Sequence, residues 1–182
     1  MKLFEEMPYL ENEQIVLKEM TLEDAPALGR IASDRRVYVY LPTFLYEQKY
    51  ADPAEAIKRM RQECFETRQS VLLGIFLKDD LHEMAGIAEI YAYDEKKRKA
   101  SIGVRLAQAF WHREIALQAE RLLLSYLEQA GIRTVTGHVM KHNHASACIA
   151  EKAGFVVKYP DLWEDWGREG PVLTDKYVYR FF

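Results

Sequence analysis

Cysteine is scarce in this chain: Cys64 and Cys148 are the two among 182 residues. Neither has a C-x-x-C partner, which points to a reduced, cytoplasmic protein. Glycine is also sparse, at nine residues. No G-x-G occurs, so the dinucleotide fingerprint is missing. G-x-x-x-x-G-K is absent as well, which removes the P-loop. Absence of G-x-S-x-G removes the usual serine-hydrolase elbow, and absence of H-E-x-x-H removes the common zinc-protease helix. Long apolar runs are missing too. The longest, Val71 to Leu77, falls far short of the ~18 residues of a membrane span. The first residues, Met1 to Glu6, are too acidic for a signal peptide. Charge of one sign is lacking: Lys plus Arg number 25 against 28 for Asp plus Glu, a net charge of -3. That balance argues against broad binding to nucleic acid or to an anionic membrane.

What is present fits one globular domain over residues 1–182. Apolar residues make up 49% and charged residues 29%, near the globular averages, and this length buries a core without disulfides. Alternation predicts a strand over Gln14 to Met20. Thr21 and Asp24 start a helix with the spacing of a capping box, running to Asp34. Asp52-Pro53 opens a second helix with Ile57, Met60, Cys64 and Phe65 on its apolar face. Val71 to Leu77, Met84 to Tyr93 and Ala100 to Leu106 read as an antiparallel meander, since their connections are too short for crossovers. The strongest helix is Arg113 to Ala130, stopped by Gly131. Strands follow at Arg133 to Met140, Phe155 to Tyr159 and Tyr177 to Phe181. Between the first two of these, Asn143 caps a short helix that Gly154 closes. The class is α/β in the α+β sense, with a right-handed crossover in a mixed sheet.

The informative stretch is Ser101 to Phe155. A strand ends at Leu106, and a long helix begins near Arg113. The first N–H groups of that helix lack internal partners and, with the helix dipole, form an anion site suited to a pyrophosphate. Asn143 either caps its helix or turns its amide toward a ligand, and Ser146 lies one turn on. His138, His142 and His144 crowd together, but H-x-x-x-H-x-H matches no common metal site, so no metal is expected. Cys148, on a helix, is expected to be a small packed residue.

Taken together, Ile102-Gly103-Val104-Arg105-Leu106, Phe110 to Ala116, and Asn143-x-x-Ser146 followed by Glu151-Lys152-x-Gly154-Phe155 resemble the GNAT acetyltransferase superfamily. They are most similar to the branch that includes ribosomal-protein N-terminal acetyltransferases. Val16 to Ala25 resembles that family's opening strand and helix. The resemblance implies a GNAT fold: a mixed, mostly antiparallel sheet of six to seven strands, splayed between the fourth and fifth, with flanking helices. It implies acetyl-CoA as donor and a primary amine, a protein N-terminus or a small amine, as acceptor. Val104, Arg105 and Leu106 would pair with the pantetheine arm. Trp111, His112, Arg113, Glu114, Ile115 and Ala116 would give backbone amides to the pyrophosphate, and Asn143 and Ser146 would contact the cofactor near the thioester. In the family's R/Q-x-x-G-x-G/A loop, this sequence places Trp111 first and Glu114 at the glycine, with Ala116 matching. His112 stands where a second glycine is common.

For the chemistry itself, Ser101 occupies the family's frequent glutamate position. Glu89 on the neighbouring strand is then the next candidate base, against a solvated strand position, and His138 either faces the splay or lies in the sheet surface. Ala150 replaces the family's frequent tyrosine acid, which leaves Ser146 as candidate donor to the thiolate. Tyr38, Tyr40, Phe44, Tyr46 and Tyr50 would line the acceptor groove or pack on the core. Asp161, Glu164 and Asp165 would attract a cationic amine. The alternative is a GNAT-fold binding or regulatory domain with weak or no catalysis, which Glu114, Ser101 and Ala150 favour. Homodimers are common among such proteins, and the sequence marks no interface.

Overall fold

The alternating and apolar runs form one eight-stranded sheet in a computed structural model, which describes residues 3–182. In chain order the strands are β1 (Leu10–Glu11), β2 (Ile15–Lys18), β3 (Val71–Leu77), β4 (Asp80–Asp94), β5 (Lys99–Leu106), β6 (Thr134–Met140), β7 (Val156–Glu164) and β8 (Val172–Arg180). The helices are α1 (Ala25–Ser33), α2 (Tyr46–Lys49), α3 (Pro53–Arg59), α4 (Ile115–Gln129) and α5 (His144–Ala153). Across the sheet the order is β1-β2-β3-β4-β5-β6-β8-β7. The count exceeds the six to seven expected because β1 is two residues long, too short to show an alternation in sequence.

Local chemistry accounts for the helix starts. The Asp24 carboxylate accepts from the Thr21 N–H at 2.7 Å, and the turn Leu22–Asp24 leads into α1. Asp52 accepts from the Ala54 N–H at 2.9 Å at the head of α3, which continues as a π-helical stretch, Met60–Phe65. Gly154, at φ 99°, ends α5 in the left-handed conformation that glycine takes without strain.

The centre of the sheet is buried on both faces, whereas β7 at its edge is largely exposed. Ile15, Leu17, Leu73, Ile75, Ala88, Ile90 and Ile102 pack against Ile115, Ala119, Leu123 and Leu127 of α4. On the other face Leu72, Phe76 and Ile87 meet Leu28 and Ile31 of α1 and Ile57 of α3. Cys64 is buried in that second core, whereas Cys148 is exposed, contrary to its expected packing, because its helix turns that side to solvent.

One seam in the sheet is short. β5 and β6 run parallel and pair only at Lys99–Thr134, Ala100–Val135 and Ser101–Thr136. Beyond that point β5 stays with β4 as far as Leu106, and β6 stays with β8 as far as Met140. The strands therefore part at Ile102, and the C-terminal half of β5 has no strand on its β6 side. This is the expected splay, between the fourth and fifth strands when the two-residue β1 is left out of the count.

The chain between α1 and α2 is tied to the β7–β8 connection. Arg168 Nη2 donates to the carbonyls of Tyr38 at 2.8 Å, Val39 at 2.7 Å and Leu41 at 2.9 Å. Nearby, the Thr43 N–H donates to the Trp166 carbonyl at 3.0 Å. Replacing Arg168 with Ala should lower unfolding free energy by about 1–3 kcal/mol and speed hydrogen exchange at the Thr43 amide. Wild-type exchange at Thr43 in the variant would show that the tie holds without the guanidinium.

Candidate active site

Side-chain alternation gives β5 two different faces. Ala100, Ile102 and Leu106 enter the core under α4, so Ser101, Gly103 and Arg105 point the other way, toward the 38–47 segment. Arg105 is buried there, with 4% of its side chain exposed, and Glu47 of α2 with none. The pair is bidentate: Arg105 Nε binds Glu47 Oε1, and Nη2 donates to Oε2 at 2.7 Å. Arg105 Nη1 donates to Glu89 Oε2 at 2.9 Å, and the Tyr38 hydroxyl donates to Glu47 Oε1 at 3.0 Å. Burial pulls the Arg105 pKa down, but Glu47 and then Glu89 outweigh it and hold it above the ordinary arginine value. Glu89 is thus a counter-ion of Arg105 rather than a solvated carboxylate. The sequence assigned Arg105 through its backbone, and its side chain has this second task.

Ser101 is likewise engaged. Its hydroxyl lies 2.7 Å from that of Thr136, a polar staple across the last pair before the strands part. On the far side of the gap, His138 follows Thr136 on the same face of β6. His138 Nδ1 lies 2.8 Å from Glu164 Oε1, and Thr174 Oγ1 donates to Glu164 Oε2 at 2.5 Å. Burial pushes the Glu164 carboxyl up, but the hydrogen bonds from Thr174 and His138 prevail and hold it below the usual range. An ionised Glu164 only accepts, so His138 Nδ1 donates to it, and Nε2 has no hydrogen-bond partner among the described residues. Glu164 was read from sequence only as one of several acids in the tail. The 26-residue separation from His138 hides a contact that the β6-β8-β7 order creates.

At the end of β5 the chain turns sharply. Trp111 Nε1 donates to the Leu106 carbonyl at 2.9 Å, which closes the turn. Arg113 sits over the Phe110 ring at 5.3 Å. His112 and Glu114 both have positive φ, 60° and 59°. These are the two positions where glycine was expected, and the backbone takes the glycine conformation without glycine. Left-handed backbone at such residues costs roughly 1–2 kcal/mol each. α4 then begins at Ile115, two residues later than the sequence suggested, with no side-chain cap. The first-turn N–H groups of Ile115 and Ala116 are therefore open to an anion. Glu114 lines a depression of about 470 Å³ with Asn12, Gln118 and Arg121, on the β1–β2 side of the helix start. A larger cavity, about 690 Å³, lies on the α1 side of the turn, lined in part by Arg30, Met84 and His112. It is separate from the gap.

Asn143 caps α5: its Oδ1 accepts from the Ser146 N–H at 3.2 Å. Both residues follow the C-terminal end of β6, as Trp111 to Ala116 follow that of β5, so they stand at the open end of the gap. No bond joins Ser146 to Glu89 or His138 among the described residues. The aromatic segment divides. Tyr38 binds Glu47, Tyr46 and Tyr50 both donate to Glu63 at 3.1 and 3.0 Å, and Tyr40 and Phe44 remain exposed. His142 and His144 are exposed, and no three His, Cys, Asp or Glu among the described residues are arranged to hold a metal.

These features suit an extended thioester with a pyrophosphate. The edge of β5 from Val104 to Leu106 has no strand on its β6 side, and the uncapped α4 start leaves N–H groups without an internal partner.

The family model described as "Acetyltransferase (GNAT) domain" matches residues 14–156. An uncharacterized N-acetyltransferase of Bacillus subtilis (strain 168), YoaA, is 24% identical over 149 residues, 81% of this chain and 82% of YoaA. Among solved structures, RimL, a ribosomal L7/L12 alpha-N-protein acetyltransferase in complex with coenzyme A, has a TM-score of 0.77 at 18% identity, over 96% of this chain and 98% of its own. The microcin C7 self-immunity acetyltransferase MccE, in complex with acetyl-CoA and AMP, has a TM-score of 0.77 at 16% identity, over 93% and 94%. Spermidine N-acetyltransferase from Vibrio cholerae, in complex with CoA and spermine, has a TM-score of 0.76 at 15% identity, over 93% and 96%.

Two substitutions probe the site. Glu47→Ala removes the bidentate partner of buried Arg105, leaving Glu89 as its counter-ion, and should cost about 1–3 kcal/mol in urea unfolding; an unchanged unfolding free energy would mean that solvent or Glu89 replaces the lost partner in full. At the turn, Glu114→Gly should keep or raise the melting temperature, whereas Glu114→Val should lower stability by about 1–2 kcal/mol. Equal melting temperatures for the two variants would remove the strain argument.

Proposed function

The chain belongs to the GNAT acetyltransferase family, and from that premise we propose that it moves an acetyl group from acetyl-CoA to a primary amine by direct transfer. The observation that carries the reading is the parting of β5 from β6 beside an uncapped α4. Val104, Arg105 and Leu106 hold the pantetheine arm through their backbone, and Trp111 to Ala116 hold the pyrophosphate. Asn143 and Ser146 approach the thioester end. Acetyl-CoA supplies the activated acetyl group, and the protein supplies position and proton transfer.

His138 is the base in this reading. Its Nε2 accepts the proton that the attacking amine gives up, and Glu164 orients the ring and steadies the imidazolium that results. Glu89, held by Arg105, adds negative charge to the same face and favours a cationic acceptor. The acceptor is a protein N-terminus or a small amine, the two classes that the names of RimL and the spermidine enzyme carry. Two unpaired cysteines suit a reducing, cytoplasmic setting.

Calorimetric titration with acetyl-CoA, followed by release of free thiol across a panel of peptides and amines, tests the reading. Binding and turnover are expected, and no binding at millimolar acetyl-CoA would overturn it. His138→Gln should lower kcat by roughly a hundredfold or more. Wild-type kcat in that variant would assign the proton to another group.

A further inference from the structure

Helix α4 turns a different chemistry to each of its sides. Ile115, Ala119 and Leu123 press on the sheet. Gln118 turns to the β1–β2 side, where it bonds Asn12 and Gln14. Glu120 follows two residues later, about 200° further round the helix. It therefore lies on the opposite flank, which α5 covers. Leu117, Leu124 and Leu127 surround it along the helix, and all three are buried. From α5, the small side chains Ala147, Ala150 and Ala153 pack on the same core.

A carboxyl group in this setting has nothing to bind. Glu120 Oε2 is buried and has no hydrogen-bond partner among the described residues. Charged groups nearby face elsewhere. On α5, His144, Glu151 and Lys152 are exposed. On α4, Glu114 and Arg121 line the depression on the β1–β2 side, and the Tyr126 ring lies on the sheet side. The sheet meets α4 with apolar residues such as Ile90, Ala100 and Ile102, while Glu89 and Arg105 pair on its other face. Burial alone pushes the Glu120 carboxyl up to about 7.

This flank adjoins the proposed cofactor site. Glu120 is five residues beyond Ile115, about 7.5 Å along the helix. Asn143 and Ser146 stand at the start of the helix that covers it. An ionised Glu120 would repel phosphates at the α4 start through protein of low dielectric. It would also draw water between the two helices that frame the open end of the gap.

We propose that Glu120 is a proton-binding site linked to the cofactor: coenzyme A binds the form in which Glu120 is neutral, and its binding takes up a proton there. The inference rests on the acetyl-transfer reading above, which puts the pyrophosphate at the α4 start. In the step the Glu120 carboxylate takes one proton from solvent, and no bond of the cofactor changes. Linkage makes the effect reciprocal. Bound phosphates raise the proton affinity of Glu120, and rising pH weakens binding. Affinity is full where the free protein is protonated, below about 7, and is lost as pH rises through that value. Donor loading thus falls over the range in which an acceptor amine becomes deprotonated.

The test counts protons by calorimetry of coenzyme A binding near pH 7.5, in buffers of unequal ionisation enthalpy. Wild type is compared with Glu120→Gln and Glu120→Leu, each checked by a thermal melt. Neither variant can ionise at this position, and leucine suits the apolar flank if glutamine does not fold. Titration of the cofactor's own phosphate and of His138 is common to all three proteins and cancels in the difference. Wild type should take up roughly half a proton more per coenzyme A than the variants, and its affinity should fall about tenfold more between pH 6 and 9. Equal proton counts, with binding intact, would overturn the proposal alone, as would a wild-type affinity that does not fall between pH 7 and 9. Failure of the wild type to bind coenzyme A would overturn the acetyl-transfer reading and this proposal with it.

Discussion

A guanidinium in the interior of a sheet must be neutralised where it stands, because a lone buried charge costs several kcal/mol. Arg105 imposes that condition, and much of this face of the sheet follows from it. The four-residue α2 is too short to be stable by itself. It is fixed because Glu47 is needed at the arginine. Glu47 in turn takes the Tyr38 hydroxyl, and the Tyr38 carbonyl is held by Arg168. One connected set of polar contacts thus runs from the β7–β8 connection, through the loop after α1, to the strand that carries the gap.

The gap is a matter of unequal loyalties. β6 pairs with β8 along its whole length and with β5 over three residues. The sheet is therefore two half-sheets joined at a short seam, with the Ser101 and Thr136 hydroxyls closing its last row. Small polar residues suit that place, since a glutamate at 101 would put a charge where two buried strands meet.

Elements governed by neighbours in sequence were legible. The apolar stripe of α4, the Thr21–Asp24 capping pair and the glycine stop after α5 all emerge from local spacing. The tail was less legible. β7 runs to Glu164 and β8 starts at Val172, longer than their alternation suggests, because Pro160 and the register shifts around Tyr159 break the period. Partnerships across the sheet were not legible at all. Glu47 and Arg105 are 58 residues apart, and His138 and Glu164 are 26 apart.

The turn before α4 carries a different kind of consequence. A glycine loop keeps glycine's freedom until a ligand arrives, and binding must then freeze it. His112 and Glu114 already sit in left-handed backbone, so their side chains restrict the free loop to few states. The ordering entropy is surrendered during folding instead of at the moment of encounter. Such a loop is pre-organised: it gives up some stability of the free protein, and a ligand that used its backbone would meet a smaller entropic loss.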